Sequence, residues 1–292
     1  MSYKEKVITL EQALSMIKSD MNIVTGLGAA EAQLIMNHIH TIAKDVKNVT
    51  ITNCLSMASG EFLQEEYVDA FNIDGWFFSP PLRKAHKHGN VSFIPNHLHL
   101  AGWKRLAHVK PDLYVGSASM PDEHGFVSLS TSNTYEAMMI EAADVVILEI
   151  NPNYPRTFGD VEIHVSEIDH FIEADYKVPS LPDVEPNEKD LKIGAYIAEL
   201  INDGDTLQLG IGGIPNAVAS ALKGKKDLGI HTEMMTSGMV ELIECGAVTG
   251  KKKTLHKGKH VATFALGNQK LYDFIDNNPS VMILNGKYVN DP

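Results

Sequence analysis

Apolar and polar positions along the chain follow two periods, one typical of helices and one typical of strands. A helical period covers Leu10 to Lys18 after an N-cap at Thr9, and another covers Lys189 to Ile201 after a cap formed by Asn187 and Asp190. Short apolar runs predict strands at residues 22–24, 49–53, 71–78, 92–94, 113–117, 127–129 and 145–150, with a helix at 135–143. Because strands alternate with helices, the pattern predicts an α/β fold of open, mostly parallel, doubly wound sheets.

The chain divides best at residues 176–186, which contain three prolines and few large apolar side chains. We therefore predict an N-terminal α/β domain over residues 1–185 and a C-terminal α/β domain over residues 186–292. The two domains begin alike: aligning Gly26 and Gly28 with Gly210 and Gly212 puts residues 51–54 near the counterpart of residues 231–234. This indicates a degenerate internal repeat, although two unrelated strand–glycine–helix units would look similar by chance.

The stretch from Leu207 to Met235 carries the strongest functional signal. Leu207, Leu209 and Ile211 alternate as in a strand that enters a glycine turn, and Pro215 suits the first turn of the helix that follows. A short strand at residues 228–232 then leads to Glu233. We predict that the loop and Glu233 lie at the carboxyl ends of parallel strands, where open α/β sheets bind ligands. The loop residues are Gly210, Ile211, Gly212, Gly213 and Ile214.

The end of the chain predicts an incomplete second domain. Residues 280–284 have the pattern of a buried strand, and no helix is predicted between that strand and residue 292. A parallel sheet that ends in this way leaves one face poorly covered. We therefore expect either further chain or a second copy on that face, and we predict a homo-oligomer.

Composition excludes several classes of protein. The 37 acidic residues outnumber the 25 basic ones, and the net charge of −12 disfavours nucleic-acid binding. No apolar run approaches the roughly 20 residues of a membrane span. Two cysteines imply no disulfide framework, and the polar start lacks a secretory signal, so we predict a cytoplasmic protein. The spacing of the histidines matches no zinc pattern, so we predict no metal site.

The chemistry of Glu233 has three interpretations from the residues alone. It is a solvated carboxylate, a partner of a ribose hydroxyl, or a nucleophile that attacks an activated acyl group. His231, two positions earlier on a strand, shares its face. A dinucleotide fingerprint needs a third glycine where Pro215 stands, which disfavours NAD without excluding it. Cys54 is a possible thiol nucleophile, but nothing distinguishes it from a structural cysteine.

Six segments together resemble the acetyl-CoA hydrolase/transferase family, and within it the 4-hydroxybutyrate and butyrate CoA-transferases. They are Gly-Trp-Phe at 75–77, Pro-Asp-Glu-His-Gly-Phe at 121–126, His-Val-Ser-Glu-Ile-Asp at 164–169, Leu-Gln-Leu-Gly-Ile-Gly-Gly-Ile-Pro-Asn-Ala-Val at 207–218, Gly-Ile-His-Thr-Glu-Met at 229–234 and Leu-Tyr-Asp-Phe at 271–274. The resemblance implies two related α/β domains and no tightly bound cofactor. It also implies that Glu233 becomes a glutamyl-CoA thioester and that the loop from Gly210 to Ile214 contacts coenzyme A.

The activity implied by the resemblance is transfer of CoA between a short-chain acyl-CoA and a carboxylate such as acetate, butyrate or 4-hydroxybutyrate. Three alternatives remain open: an acyl-CoA hydrolase with the same site, an NAD-dependent oxidoreductase, and a non-catalytic CoA- or nucleotide-binding fragment. Family members continue past this terminus with a further glycine-rich segment, so the resemblance also predicts that the second domain is incomplete.

Overall fold

A computed structural model describes residues 3–292 of the chain. The strands, in chain order, are β1 (Asn22–Thr25), β2 (Val49–Asn53), β3 (Phe71–Gly75), β4 (Val91–Phe93), β5 (Leu113–Ala118), β6 (Phe126–Ser128), β7 (Val145–Ile150), β8 (Phe158–Gly159), β9 (Glu162–His164), β10 (His170–Glu173), β11 (Thr206–Leu207), β12 (Gly229–Met235), β13 (His260–Ala265) and β14 (Val281–Ile283). The α-helices are α1 (Leu10–Met16), α2 (Gln33–His38), α3 (Pro80–Ala85), α4 (Ala101–Leu106), α5 (Glu136–Ala142), α6 (Glu188–Leu200), α7 (Gly213–Ala221), α8 (Ser237–Glu244), α9 (Gln269–Ile275) and α10 (Gly286–Val289). Short 3-10 turns join several of them.

The first sheet has seven parallel strands in the order β10-β7-β5-β1-β2-β3-β4. The strand order reverses between β1 and β5, which is the pattern of a doubly wound sheet. The central strand β5 is buried along its whole length, as expected for a parallel strand covered on both faces. The predicted α/β class with mostly parallel sheets is confirmed.

The second sheet is also parallel and has the order β11-β12-β13-β14-β8. Its last strand, β8, belongs to residues 158–159, which lie in the first predicted domain. The second sheet thus contains residues from both sides of the predicted domain boundary after residue 185, and that boundary stays a prediction. The strand predicted at residues 127–129 pairs outside both large sheets, as the antiparallel β6–β9 pair.

Helices α6, α7, α8 and α9 pack one on the next along the second sheet. Helix α6 begins with the predicted cap: the Asn187 side chain accepts the N–H groups of Lys189 and Asp190, and the Asp190 carboxylate accepts the N–H of Asn187. The prediction that no helix follows the last strand is wrong. Helix α10 follows β14 and packs on β12 and β13, and on the 3-10 turn Leu98–Leu100 of the first sheet's end.

One apolar core joins the two sheets. Buried side chains of the first sheet, such as Leu148, belong to the same cluster as Ile230 and Ile283 of the second. A second cluster lies on the other face of the first sheet and contains Ile23, Ile51 and Ile73. Within residues 3–292, none of the helices has the length and apolar character needed to cross a bilayer.

Candidate active site

The glycine loop begins earlier than the sequence pattern predicts. The strand expected to continue to Ile211 ends at Leu207, and helix α7 begins at Gly213. Gly212 is the N-cap and has a φ of 115°, a backbone conformation that side chains with a β-carbon rarely adopt. The chain turns sharply there, so the alternation of Leu209 and Ile211 continues outside the sheet. Pro215 is the third helical residue and still lies in the first turn, as predicted.

The loop lines a cavity of about 420 Å³ at the carboxyl edge of the second sheet. The other walls are residues 181–184, Asn216 of α7, the start of α8 at Thr236, Ser237 and Gly238, and the turn after β13 at Leu266 and Gly267. Within residues 3–292, the N-cap residues Gly212 of α7 and Thr236 of α8 make no side-chain capping hydrogen bond. Two uncapped helix N-termini present N–H groups and partial positive charge to the cavity, an arrangement that suits an anionic ligand group.

Glu233 lies inside strand β12, because that strand continues to Met235 rather than ending at the predicted residue 232. Strand β11 pairs Leu207 with Ile230. Continuing this register by three residues places Gly210 level with Glu233, and the 3.5 Å contact between Thr232 Oγ1 and the Leu209 carbonyl shows that the loop stays beside the strand. The structure thus brings the glycine loop and Glu233 together, as predicted.

The Glu233 carboxylate is half-buried and has a defined partner. The Asn290 side-chain amide donates a hydrogen bond to Oε2 over 2.6 Å. Asn290 follows helix α10, so α10 covers the face of β12 that presents Glu233. Glu233 is not among the residues that line the glycine-loop cavity, and the wall residue nearest to it along the chain is Thr236, which directly follows β12. A ligand held in the cavity therefore has to extend across the strand end to reach the carboxylate.

The end of strand β2 faces the same region. Burial raises the pKa of the Cys54 thiol far above its usual range, and the negative charges of Glu136 and Glu233 raise it further. Cys54 is thus within electrostatic reach of Glu233 and stays protonated, which argues against a thiol nucleophile. A β-carbon on Gly28 would lie 3.7 Å from Leu266, so the turn after β1 also meets the turn after β13. The site lies where the carboxyl edges of the two sheets meet.

His231 shares the face of Glu233, as predicted from the alternation. Its ring lies 6.5 Å from that of His256 and 6.1 Å from that of Tyr288, measured between centroids. Burial lowers the pKa of His231, and the neighbouring positive charges of Lys253 and His256 lower it further. A neutral imidazole in this aromatic group indicates a packing role for His231.

Two residues of this region have roles that the sequence pattern does not reveal. Lys253 is buried and donates hydrogen bonds of 2.7 Å to the carbonyls of Ile230 and Lys259. Burial lowers the pKa of Lys253 to about 8. Asn290 is separated from Glu233 by 57 positions, and no local pattern connects them. In the part of the chain that the structure describes, no three His, Cys, Asp or Glu side chains are placed to share a metal ion.

Comparisons with known proteins identify the family to which the chain is similar. Residues 1–182 match the acetyl-CoA hydrolase/transferase N-terminal domain. The chain is 39% identical over 294 residues to the 4-hydroxybutyrate coenzyme A transferase of Clostridium kluyveri, covering 99% of this chain and 68% of that protein. It is 38% identical over 293 residues to the succinyl-CoA:cyclohexane-1-carboxylate CoA transferase of Geobacter metallireducens, covering 99% and 66% respectively. The chain thus spans about two thirds of the length of these relatives.

The fold of the chain is also similar to that of solved structures. RipA from Yersinia pestis superimposes with a TM-score of 0.95 at 32% identity, covering 99% of this chain and 70% of that one. The 4-hydroxybutyrate CoA-transferase from Porphyromonas gingivalis superimposes with a TM-score of 0.84 at 34% identity, with the same coverage. These matches extend over both sheets, so the whole described fold is shared with these proteins.

Proposed function

Because the chain belongs to the acetyl-CoA hydrolase/transferase family, we propose that it transfers coenzyme A between a short-chain acyl-CoA and a carboxylate. The observation that supports this proposal best is the placement of Glu233. A carboxylate held at Oε2 by Asn290 stands beside the glycine loop, at the edge where parallel sheets bind ligands. A carboxylate is a competent nucleophile toward a thioester and needs no partner base to ionise.

The proposed reaction has two half-reactions. A Glu233 oxygen attacks the acyl-CoA carbonyl carbon, the C–S bond breaks, and an acyl-glutamyl anhydride and CoA thiolate result. The thiolate then attacks the glutamyl carbon, which releases the first carboxylate and leaves a glutamyl-CoA thioester. An incoming carboxylate reverses both steps and departs as the new acyl-CoA. The scheme predicts ping-pong kinetics.

We propose the glycine-loop cavity as the site that binds coenzyme A. Its phosphates would lie near the uncapped N-termini of α7 and α8, with Gly210, Ile211, Gly212, Gly213 and Ile214 along its length. The N–H groups of Gly212 and Gly213 are candidate donors to an oxyanion, a role worth about 3 kcal/mol per donor. Binding energy from this remote handle can be used in the transition state at Glu233. The acyl group would be of the acetate, butyrate or 4-hydroxybutyrate type, in line with the names of the relatives.

An acyl-CoA hydrolase is the second candidate, because the family name includes hydrolases and Glu233 is partly open to solvent. A water molecule would then attack the acyl-enzyme in place of the acceptor carboxylate. Measuring CoA release from butyryl-CoA with and without acetate separates the two. A transferase forms acetyl-CoA and releases little CoA, whereas a hydrolase releases CoA at the same rate in both conditions.

The test of the proposal is acyl exchange from butyryl-CoA to acetate, followed by chromatography of the thioesters. The parent protein should form acetyl-CoA, and Glu233→Gln should reduce the rate at least about 1,000-fold because the nucleophile is lost. Glu199→Gln, at an exposed position on α6, is the matched control and should keep the parent rate. Equal rates for the parent and Glu233→Gln would contradict the proposal.

A further inference from the structure

Thr263 lies directly beside Glu233 on the neighbouring strand. Strands β12 and β13 pair Thr232 with Ala262 and Met234 with Phe264, so position 263 is level with position 233. Neighbouring strands are about 4.8 Å apart, and side chains at paired positions of a parallel sheet point to the same face. Thr263 and Glu233 are therefore adjacent on one face of the second sheet.

The position of α10 supports this placement independently. A β-carbon built on Gly286, the first residue of α10, would lie 3.1 Å from Thr263 Oγ1. The hydroxyl thus faces the helix that carries Asn290 to the Glu233 carboxylate. Both Thr263 and Asn290 lie near Glu233: Thr263 is on the adjacent strand β13, and Asn290 directly follows helix α10, which packs on the sheet.

The Thr263 hydroxyl is a buried donor without an acceptor. The side chain is 0% exposed, and Oγ1 has no hydrogen-bond partner among the described residues 3–292. Buried hydroxyls are normally paired, since burying one without a partner costs free energy. Within the same residues, the structure gives the Glu233 carboxylate one hydrogen bond, to Oε2. An unused donor beside a carboxylate that is free at Oε1 points to a partner that forms during the reaction.

We propose that the Thr263 hydroxyl donates a hydrogen bond to the oxygen of Glu233 that becomes an oxyanion during CoA transfer; this rests on the proposed function. When the CoA thiolate attacks the glutamyl carbon of the anhydride, a C–S bond forms and the C=O electron pair moves onto the glutamyl oxygen. The Thr263 O–H would stabilise that charge. Collapse of the adduct restores the C=O bond and breaks the C–O bond to the departing carboxylate, which takes the electron pair.

The experiment compares Thr263→Val with Thr263→Ser. Valine keeps the volume and removes the hydroxyl, whereas serine keeps the hydroxyl. The rate of glutamyl-CoA thioester formation in a single turnover with butyryl-CoA should fall about 100-fold in Thr263→Val, the usual effect of losing one oxyanion donor. Thr263→Ser should stay within about fivefold of the parent, because a similar donor remains. KM for butyryl-CoA should be unchanged in both variants. The Tm of Thr263→Val should be no lower than that of the parent protein.

Thr52→Val is the matched control, because Thr52 on β2 has another fully buried hydroxyl without a partner. Its rate should equal that of the parent. Parent-like thioester formation in Thr263→Val, with Glu233→Gln inactive, would overturn the role of Thr263 and leave the proposed function intact. Equal losses in Thr263→Val and Thr263→Ser would also overturn it, because the hydroxyl would not be the cause. A parent protein that forms no thioester on Glu233 would remove both proposals.

Discussion

The first sheet contains a buried carboxylate that should make the stability of the protein fall as pH rises. Glu149, on β7, is 0% exposed. It accepts the N–H groups of Leu34 and Ile35 over 3.0 and 2.8 Å, and the Tyr176 hydroxyl over 2.6 Å. Burial raises the pKa of Glu149 to about 7 from a value of 4.5 without burial, although the three donors act in the opposite direction. Desolvation is therefore the dominant effect.

The consequence for stability follows from proton linkage. Because the folded state binds the proton more tightly than the unfolded state, the stabilisation from protonated Glu149 is complete below pH 4.5 and is lost as the pH rises through 7. A difference of about 2.5 pKa units corresponds to about 3 kcal/mol of unfolding free energy. Glu149→Gln should remove this dependence, since glutamine stays neutral and keeps one acceptor oxygen. The variant should therefore gain about 3 kcal/mol relative to the parent between pH 4.5 and pH 8.

Urea unfolding at a series of pH values measures this difference, and the change with pH is diagnostic. A constant difference would report only the lost acceptor. Glu162→Gln, an exposed glutamate on β9, is the matched control and should show no such gain. A stability difference between Glu149→Gln and the parent that stays flat from pH 4.5 to pH 8 would refute the reasoning.

Two glycine substitutions test the second sheet and the ligand loop. Gly159→Ala should lower the free energy of unfolding by at least about 2 kcal/mol, because the residue has a φ of 130° and its β-carbon would lie 2.3 Å from the Ile283 carbonyl oxygen. Urea unfolding measures this loss, and an unchanged free energy of unfolding would contradict the pairing of β8 with β14. Gly212→Ala should weaken CoA binding about tenfold, because a φ of 115° is strained for alanine and the loop would have to leave its present conformation. Calorimetric titration with CoA measures this effect, and parent-like affinity would exclude the loop from the CoA site.

Local patterns predicted the elements whose cause is local. The cap at Asn187, the strand Val49–Asn53 and the strand Val145–Ile150 are all present at the predicted positions. Their signals are periodicity and side chains that bond to the neighbouring backbone, which lie within a few residues of each other. The topology of the repeat also agrees: β1 and β2, like β11 and β12, are adjacent parallel strands joined through a glycine turn and a helix.

Features that depend on distant contacts were not predictable. Strand β8 reaches the second sheet from residues 158–159, and Asn290 reaches Glu233 from the end of α10. The first glycine turn is an instructive case, because the Glu136 carboxylate accepts the N–H of Leu27 over 2.8 Å. The protein's own carboxylate thus occupies the position where an anionic ligand would bind at the first glycine turn. No sequence pattern near Gly26 indicates this.

The most direct test of the account is the identity of the residue that carries CoA. The protein would be incubated with butyryl-CoA, reduced with borohydride, digested and analysed by peptide mass spectrometry. The reduced product should appear on Glu233 alone, and Glu233→Gln should give no modified peptide. Acyl exchange that proceeds with Glu233 unmodified, or with the modification on another residue, would contradict the account.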